Sequence, residues 1–410
     1  MSSTDADGSG APISDVPVLQ EPRDGVPEPV TTTAQLRAAI AALRRGTGPV
    51  AVDAERASGY RYSQRAYLVQ LRRAGAGTVL IDPIELPDLH EVGEALGDAE
   101  WILHAANQDL PCLAEVGLHP PVLFDTELAG RLLGDNRVAL GTMVEQHLGV
   151  RLEKGYSAAD WSTRPLPHDW LVYAALDVEL LAALRQALAA ELASAGKTEW
   201  AQQEFEAERI APAPAPRDDP WRRTSGMHLL RSRRQLAAVR SLWYARDRYA
   251  AERDVAPGRL LPDSAIIAAA RANPRRPADL AALPVFGGPR QRRQTARWYA
   301  ALVEARELPD SELPQIIGGS GDAVPPASRW RDRSPEAASR LARCRAVIVG
   351  LAERYRVLGQ NLLASDVVRQ LAWQPPQPPT EEAVRAELAR LGARPWQIDL
   401  TSAALAEALR

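Results

Sequence analysis

The chain has 410 residues, of which 46% are hydrophobic and 25% charged, and its formal net charge is −3. This length allows two to four domains, and the composition is ordinary for a globular protein. No apolar run approaches the roughly 18 residues that span a bilayer, which excludes a membrane-spanning protein. The two cysteines, Cys112 and Cys344, lack metal-ligand spacing and predict reduced, buried thiols.

The first segment is rich in Asp, Gly, Pro and Ser, and residues 1–33 contain six acidic residues and one Arg. This composition predicts a disordered acidic tail over residues 1–30. The segment has neither a basic stretch nor an apolar core, so we expect no signal peptide and a cytoplasmic location. A helix over Thr31–Gly46 follows, which Thr32 or Thr33 can cap.

The next elements in chain order predict a mixed sheet covered by helices. The strand-like runs are Pro49–Glu55, Ala66–Arg72 and Thr78–Asp82, which predict an antiparallel meander, and later Trp101–Ala105. The helical patterns are Leu86–Leu96, Gln108–Glu115, Thr126–Leu133, Gly141–Leu148 and about Pro167–Ala195.

An acidic pair closes the first of these strands. Side chains two apart on a strand point to one face, so Asp53 and Glu55 are expected to project together. Neighbouring carboxylates repel each other unless a cation neutralises them, which suits hard metals such as Mg2+ or Mn2+. Taken alone, such a pair more often marks only a solvated strand edge.

Three further residues strengthen the metal interpretation. Asp109 lies just beyond the strand Trp101–Ala105, where catalytic carboxylates of α/β sheets usually lie. Tyr173 and Asp177 are four residues apart in a helical pattern and therefore share one helix face. Singly, Tyr173 fits a core aromatic and Asp177 a surface charge, but the combined set favours a catalytic site.

The combined set resembles the motifs of the DEDD exonucleases of the tyrosine subtype, and among them the ribonuclease D family, over about residues 30–410. The first motif matches Asp53 and Glu55, the second His104, Asn107 and Asp109, and the third Tyr173 and Asp177. The preceding run Asp160-Trp161-Ser162-Thr163-Arg164 is also similar to the family.

The resemblance implies a ribonuclease H-like α/β exonuclease domain over residues 31–210. It implies a two-metal 3'-to-5' exonuclease that hydrolyses phosphodiester bonds and releases nucleoside 5'-monophosphates. The metal ligands, for two Mg2+ or Mn2+ ions, would be Asp53, Glu55, Asp109 and Asp177. Tyr173 would orient the attacking water.

Four more residues are predicted to bind substrate, each with a structural alternative. His104 and Asn107 would either contact the terminal nucleotide or shape their loop. Trp161 would stack on a base or lie in the core, and Arg164 would hold a phosphate or lie on the surface.

The second half of the chain predicts all-α structure. The alternating Ala-Pro run at residues 211–216 marks a linker over 211–222, because alternate prolines cannot continue a helix. A capping box beginning at Ser232 opens a helical region that resembles an HRDC domain, over residues 223–308. A second linker, 309–334, leads to a second HRDC-like helical domain over residues 335–410.

Charge is distributed unevenly: residues 217–306 contain 19 Arg and 8 acidic residues, a net charge of +11. Such a basic segment indicates a polyanionic partner. We expect a monomer that binds RNA with a free 3' end, such as transfer RNA precursors, with single-stranded DNA as an alternative ligand, and that binds no membrane. The alternatives are a 3'-to-5' DNA exonuclease in repair and a non-catalytic nucleic-acid-binding scaffold, which the four mutually repelling carboxylates disfavour.

Overall fold

The computed structural model describes residues 16–153, 155–212, 217–316 and 324–410. Its strands are β1 (Val18–Leu19), β2 (Thr47–Arg56), β3 (Ala66–Ala74), β4 (Gly77–Ile81), β5 (Glu100–Leu103), β6 (Val122–Asp125) and β7 (Arg151–Leu152). Five of them form one sheet in the order β4-β3-β2-β5-β6. β3 pairs antiparallel with β2 and β4, whereas β2, β5 and β6 are parallel. This mixed sheet confirms the predicted α/β class.

Eight helices belong to the described part of this α/β domain, residues 16–212. They are α1 (Thr33–Arg45), α2 (His90–Leu96), α3 (Leu110–Glu115), α4 (Thr126–Leu133), α5 (Leu140–Leu148), α6 (His168–Glu179), α7 (Leu181–Ser194) and α8 (Thr198–Arg209). A capping box formed by Thr32 and Gln35 starts α1. The single helix predicted from Pro167 is divided, because Leu180 leaves the helical conformation with φ −108° and ψ 1°.

The predicted disordered tail is wrong for residues 16–30. Strand β1 pairs in parallel with β7, and Val30 forms a bridge with Ile81 at the edge of the sheet. The segment is ordered because partners distant in the sequence satisfy its backbone hydrogen bonds, which composition cannot reveal. Residues 1–15 lie outside the described residues.

Residues 217–316, here called the middle helical domain, enclose a separate core. Its helices are α9 (Arg233–Arg253), α10 (Pro257–Leu260), α11 (Asp263–Ala272), α12 (Pro277–Ala281), α13 (Pro289–Arg292) and α14 (Thr295–Glu307). Trp221, Phe286 and Trp298 are fully buried in that core. The predicted linker 211–222 is therefore too long at its C-terminal end, because Trp221 already belongs to the domain; residues 213–216 lie outside the described residues.

Residues 324–410, here called the C-terminal helical region, do not enclose a core of their own. Their helices are α15 (Trp330–Arg333), α16 (Pro335–Tyr355), α17 (Gly359–Leu362), α18 (Ser365–Trp373), α19 (Glu381–Arg390) and α20 (Pro395–Leu409). Their buried side chains are continuous with the core of the α/β domain. The predicted linker 309–334 extends too far, because Trp330 is fully buried in this core.

The junction between the C-terminal helical region and the α/β domain is specific. The ring of Trp200 stacks on that of Trp396, with centroids 4.9 Å apart and planes 14° apart. Lys197 Nζ donates to the carbonyl oxygens of Leu132 (2.6 Å) and Arg356 (2.9 Å). The last helices therefore complete the fold of the first domain.

Both cysteines, Cys112 and Cys344, are buried and free, as the sequence predicts. Among the described residues, every helix is too short or too polar to cross a bilayer.

Candidate active site

Two acidic side chains lie near the end of β2, the central strand of the five-stranded sheet. Because alternate residues of a strand point to the same face, Asp53 and Glu55 project together. The residues that precede each of them, Val52 and Ala54, are buried in the core. The alternation of acidic and apolar residues thus places both carboxylates on one side of the sheet.

Helix α6 adds a third carboxylate and a phenol. It packs against β2, β3 and β4, and Tyr173 and Asp177 lie one turn apart on the same helix face. Carboxylate oxygens of Asp53, Glu55 and Asp177 lie within 4.8 Å of one another. Helix α6 thus brings Asp177 to a pair of carboxylates that lie more than 120 positions earlier in the sequence.

The fourth carboxylate comes from the turn after β5. Ala105 adopts a left-handed φ of 58°, and a 3-10 turn over Ala106–Gln108 leads to Asp109 at the start of α3. The carboxyl group of Asp109 lies beside that of Asp53, and the charge of Asp53 raises the pKa of Asp109. Arg56 Nη2 lies 3.7 Å from Asp109 Oδ1 and supplies a positive charge beside the cluster.

The electrostatics of the cluster fit a cation. Burial raises the pKa of Glu55, Asp109 and Asp177 well above the ordinary value, and repulsion from Asp53 adds to the rise. Burial also raises the pKa of Asp53. Oxygen ligands that are desolvated and repel one another suit a divalent cation, which cancels the repulsion. The residues present therefore fit a divalent-metal site.

Tyr173 lies against this cluster as a hydrogen-bond donor. Burial raises the pKa of its hydroxyl, and the charges of Asp177 and Glu55 raise it further, so the phenol stays protonated. The hydroxyl lies close enough to the Asp177 carboxylate for that charge to raise the pKa of the phenol. Gly155 allows the chain to pass close to the ring, since a Cβ there would lie 3.1 Å from Tyr173 Cδ2.

An open cavity of about 950 Å³ leads to the cluster. Tyr173 and Asp177 are among its lining residues, together with Arg137, Gly155 and Ser157. Its volume is in the range of small-ligand sites, so it can admit a terminal nucleotide. Arg137 is exposed and provides a positive charge at this cavity.

Comparison with known families assigns each part of the chain. Residues 27–193 match the 3'-5' exonuclease family model, residues 235–302 the HRDC domain model, and residues 323–409 the model of the 3' to 5' exonuclease C-terminal domain. The HRDC match confirms the predicted resemblance of the middle helical domain. The C-terminal helical region matches the exonuclease C-terminal domain rather than the HRDC domain. This match agrees with the core that the region shares with the α/β domain.

The ribonuclease D of Jannaschia sp. (strain CCS1) is 33% identical over 310 residues, which cover 72% of this chain and 78% of that protein. This chain belongs to the ribonuclease D family. The ribonuclease D of Escherichia coli (strain K12) is 31% identical over 295 residues, covering 69% of this chain and 76% of the relative. The chain is therefore a 3'-to-5' exoribonuclease, as predicted, rather than a scaffold without activity.

Solved structures agree with this membership in the ribonuclease D family. A protein from Bifidobacterium adolescentis has a TM-score of 0.88 and 38% identity, with 96% of this chain and 100% of that chain covered. The structure of Escherichia coli RNase D has a TM-score of 0.62 and 25% identity, with 85% and 92% covered. The whole arrangement of the three parts is thus shared with known structures.

In this ribonuclease D family member, Trp161 does not stack on a base. Its ring is fully buried among Trp170, Tyr173 and other apolar residues. The substrate-stacking prediction is therefore wrong, and the core alternative holds. The ring instead supports the helix face that carries Tyr173.

Arg164 is likewise wrong as a phosphate ligand. Nε and Nη2 donate to the buried carboxylate of Asp82 at 2.6 and 2.8 Å. Nη1 donates to the carbonyls of Trp161 and Thr163, and Nη2 donates also to the carbonyl of Tyr67, each at 2.8 Å. These bonds occupy all five N–H groups of the guanidinium, so none is left for a phosphate.

His104 and Asn107 have different surroundings. His104 Nδ1 lies 2.9 Å from Thr126 Oγ1, and burial lowers its pKa to about 4, so the ring is neutral. These contacts favour the loop-shaping alternative for His104. The side chain of Asn107 is exposed, and its backbone N–H donates to Glu208 Oε1 at 2.7 Å; a substrate contact by Asn107 stays a prediction.

Asp125 belongs to this site but was not among the residues predicted from the sequence. Its fully buried carboxylate accepts hydrogen bonds from the backbone N–H groups of Ala105 (3.2 Å), Ala106 (2.6 Å), Glu127 (2.7 Å) and Leu128 (3.1 Å). Asp125 therefore links two segments: the turn that carries Asp109, and the first residues of α4. The position of Asp125 directly before a helix was visible in the sequence, but its bonds to Ala105 and Ala106 were not.

Proposed function

We propose that this exoribonuclease uses two divalent metal ions, Mg2+ or Mn2+, which Asp53, Glu55, Asp109 and Asp177 would hold. The observation that carries the proposal is the convergence of these four carboxylates, two of them buried (Glu55 and Asp109) and two partly buried, with oxygens of Asp53, Glu55 and Asp177 within 4.8 Å of one another. When bound, such ions neutralise charge on the attacking and leaving oxygens of a phosphodiester.

The chain's own groups would position the reactants. Tyr173 remains protonated, so its hydroxyl would donate a hydrogen bond that orients a water rather than remove a proton from it. Arg56 lies beside Asp109 and would limit the negative charge that the RNA phosphate meets. The reaction would release nucleoside 5'-monophosphates from the 3' end.

The proposed substrate is structured RNA with a free 3' end, such as a transfer RNA precursor, acted on by a monomer in the cytoplasm. The Escherichia coli RNase D structure is described as an exoribonuclease involved in structured RNA processing. The exposed arginines of the middle helical domain support a phosphate contact, and those whose side chains have no described hydrogen bond or ion pair are Arg217, Arg223, Arg248, Arg253, Arg271, Arg275, Arg292 and Arg293. Their contribution would weaken as salt rises.

The test is a set of matched RNA and DNA oligomers labelled at the 5' or the 3' end, incubated with Mg2+, Mn2+ or EDTA. We expect a ladder of shortened products from 5'-labelled RNA, labelled mononucleotide from 3'-labelled RNA, and no product in EDTA. Faster removal of deoxynucleotides than of ribonucleotides would contradict the RNA assignment. Activity that persists in EDTA would contradict the metal assignment.

A further inference from the structure

The loop over residues 57–65, here called the β2–β3 loop, connects the active-site strand β2 to β3. It begins two residues after Glu55 and directly after Arg56. On one side it contacts the segment that precedes α6: Tyr60 Oη donates to the carbonyl of Ala158 (3.3 Å), and Arg61 Nε donates to Ser162 Oγ (2.8 Å). The loop therefore lies between the metal-ligand strand and the chain that passes Tyr173.

On its other side, the β2–β3 loop is bound by the middle helical domain. Asp254, at the end of α9, accepts hydrogen bonds from the backbone N–H of Ser63 (2.8 Å) and the hydroxyl of Tyr67 (3.4 Å). Asp247, two turns earlier on α9, accepts from the hydroxyl of Tyr62 at 3.2 Å. In these three hydrogen bonds, carboxylates of the middle helical domain accept, and groups of the β2–β3 loop and of the first residues of β3 donate.

The residues after α9 extend the same contact. Ala256 donates its N–H to the carbonyl of Tyr60 (2.9 Å), and Arg259 Nε donates to the carbonyl of Gly59 (2.8 Å). The guanidinium of Arg259 also lies 4.0 Å from the centroid of the Tyr60 ring. Two backbone carbonyls of the loop therefore depend on donors in the other domain.

The backbone conformation of Asp254 directs its side chain toward this contact. It has a left-handed φ of 45° as the C-cap of α9, and its N–H bonds back into the last turn of the helix. Because the cap residue turns out of the helix, its carboxylate reaches the loop rather than solvent alone. A residue that tolerates this conformation is needed there, and Asp, Asn and Gly are the types that do.

We infer that the middle helical domain is a structural part of the exonuclease site: through Asp254, Asp247 and Arg259 it holds the β2–β3 loop, and so fixes the end of β2 that carries Asp53 and Glu55. Asp254 is a positioning residue in this arrangement. The inference rests on the proposed metal-dependent function. It extends the role of the domain beyond gripping long RNA, because even a substrate too short to reach the domain requires the loop.

The test compares two full-length double variants. Asp254→Gly with Tyr62→Phe removes two described side-chain contacts to the loop and one to Tyr67 at the start of β3, while keeping the left-handed backbone easy to adopt. Asn273→Gly with Tyr244→Phe is the control, because Asn273 is the exposed left-handed cap of α11 at φ 46° and Tyr244 is an exposed residue of α9. Circular dichroism checks that both variants are folded.

With a short oligoribonucleotide and saturating Mg2+, we expect kcat of the Asp254→Gly, Tyr62→Phe variant to fall on the order of 10-fold to 100-fold, as a displaced catalytic group does. KM should stay unchanged, and backbone amides of residues 57–65 should exchange hydrogen faster than in the control. Asp254→Asn, which keeps an acceptor oxygen and tolerates the left-handed backbone, should retain most of the activity.

Two results would overturn the inference. One is a kcat equal to that of the control; the other is a raised KM with kcat unchanged, which would show a substrate grip only. If the parent chain has no nuclease activity, the proposed function fails. Hydrogen exchange over residues 57–65 then still decides whether the helical domain holds the loop.

Discussion

Asp53 and its three neighbouring carboxyl groups lower the stability of the folded chain when no cation is bound. Their pKa values are raised by folding, so the folded chain binds protons more tightly than the unfolded chain. Their contribution to the free energy of unfolding is therefore fully present below about pH 4, the ordinary carboxyl pKa, and is lost as pH rises through their higher pKa values in the folded chain. A bound cation reverses this loss by binding only the folded state.

Asp53→Asn is expected to separate stability from activity. In EDTA at pH 8 the variant should melt at a higher temperature than the parent, because one repelling charge is removed, and the difference should shrink toward pH 5. Added Mg2+ should raise the melting temperature of the parent by more than that of the Asp53→Asn variant. Differential scanning calorimetry measures both, with the exposed Asp98→Asn as control.

Nuclease activity of Asp53→Asn and of Asp177→Asn should fall to no more than a few per cent of the parent, because each removes a charge from the proposed shared metal site. The same labelled RNA assay measures it. Substantial activity in either variant would remove that residue from the proposed ligand set.

Tyr173→Phe keeps the ring and removes only the hydroxyl. If the hydroxyl orients the water, the rate should fall on the order of 10²- to 10⁴-fold, while the stabilisation by Mg2+ persists. Tyr156→Phe is a matched control, since its ring lies edge-on to Tyr173 with centroids 6.4 Å apart. Equal rates for the two variants would leave Tyr173 as a packing residue.

Arg164 and Arg137 are expected to behave in opposite ways. Arg164→Met leaves the buried Asp82 unpaired and should lower the free energy of unfolding by about 3 kcal/mol. Arg137→Met should leave stability unchanged and raise KM for RNA, because Arg137 is exposed at the cavity. Urea unfolding and steady-state kinetics distinguish the two effects, and a reversal of the pattern would contradict both roles.

At the scale of single elements, local periodicity predicted the site well. Asp53 and Glu55 follow the two-residue period of a strand, and Tyr173 and Asp177 follow the four-residue spacing of a helix. Both patterns depend on neighbouring residues only. Their positions in β2 and α6 agree with the prediction, and their catalytic roles stay predictions.

Two wrong predictions, for Arg164 and for residues 16–30, concern features that depend on residues distant in the sequence. Whether Arg164 faces solvent depends on Asp82, which is 82 positions away in the chain. The order of residues 16–30 depends on β7 and Ile81. No local pattern contains such partners, so the sequence left Arg164 open between a phosphate ligand and a surface residue and predicted disorder for the N-terminal segment.

The turn between β5 and α3 depends on Asp125 at the end of β6. In Asp125→Asn, one oxygen that accepts a backbone N–H becomes an amide donor, so the turn over Ala106–Gln108 should shift and carry Asp109 with it. We expect the Mg2+ concentration for half-maximal activity to rise about tenfold, the lower end of the effect of groups that orient metal ligands. A Mg2+ titration of activity measures it, and an unchanged midpoint would show that the turn holds its shape without Asp125.

At the scale of the whole molecule, two cores divide the described chain in an order that differs from the sequence. The α/β domain and the C-terminal helical region share one core, and the middle helical domain between them has its own. Trp396→Ala should therefore destabilise the α/β domain by about 3–5 kcal/mol. Hydrogen exchange of α8 should speed up in Trp396→Ala and stay unchanged in Trp298→Ala, whose ring lies in the other core.

The shared core has a consequence for how the protein is made. The ribosome releases the α/β domain before the helices that cover its apolar surface around Trp200, because the middle helical domain is synthesised between them. During the synthesis of roughly 200 further residues, at a rate on the order of 5–20 residues per second, that surface is exposed in the nascent chain. We therefore expect the nuclease site to reach its final stability only after the C-terminal helical region has left the ribosome and packed on the α/β domain.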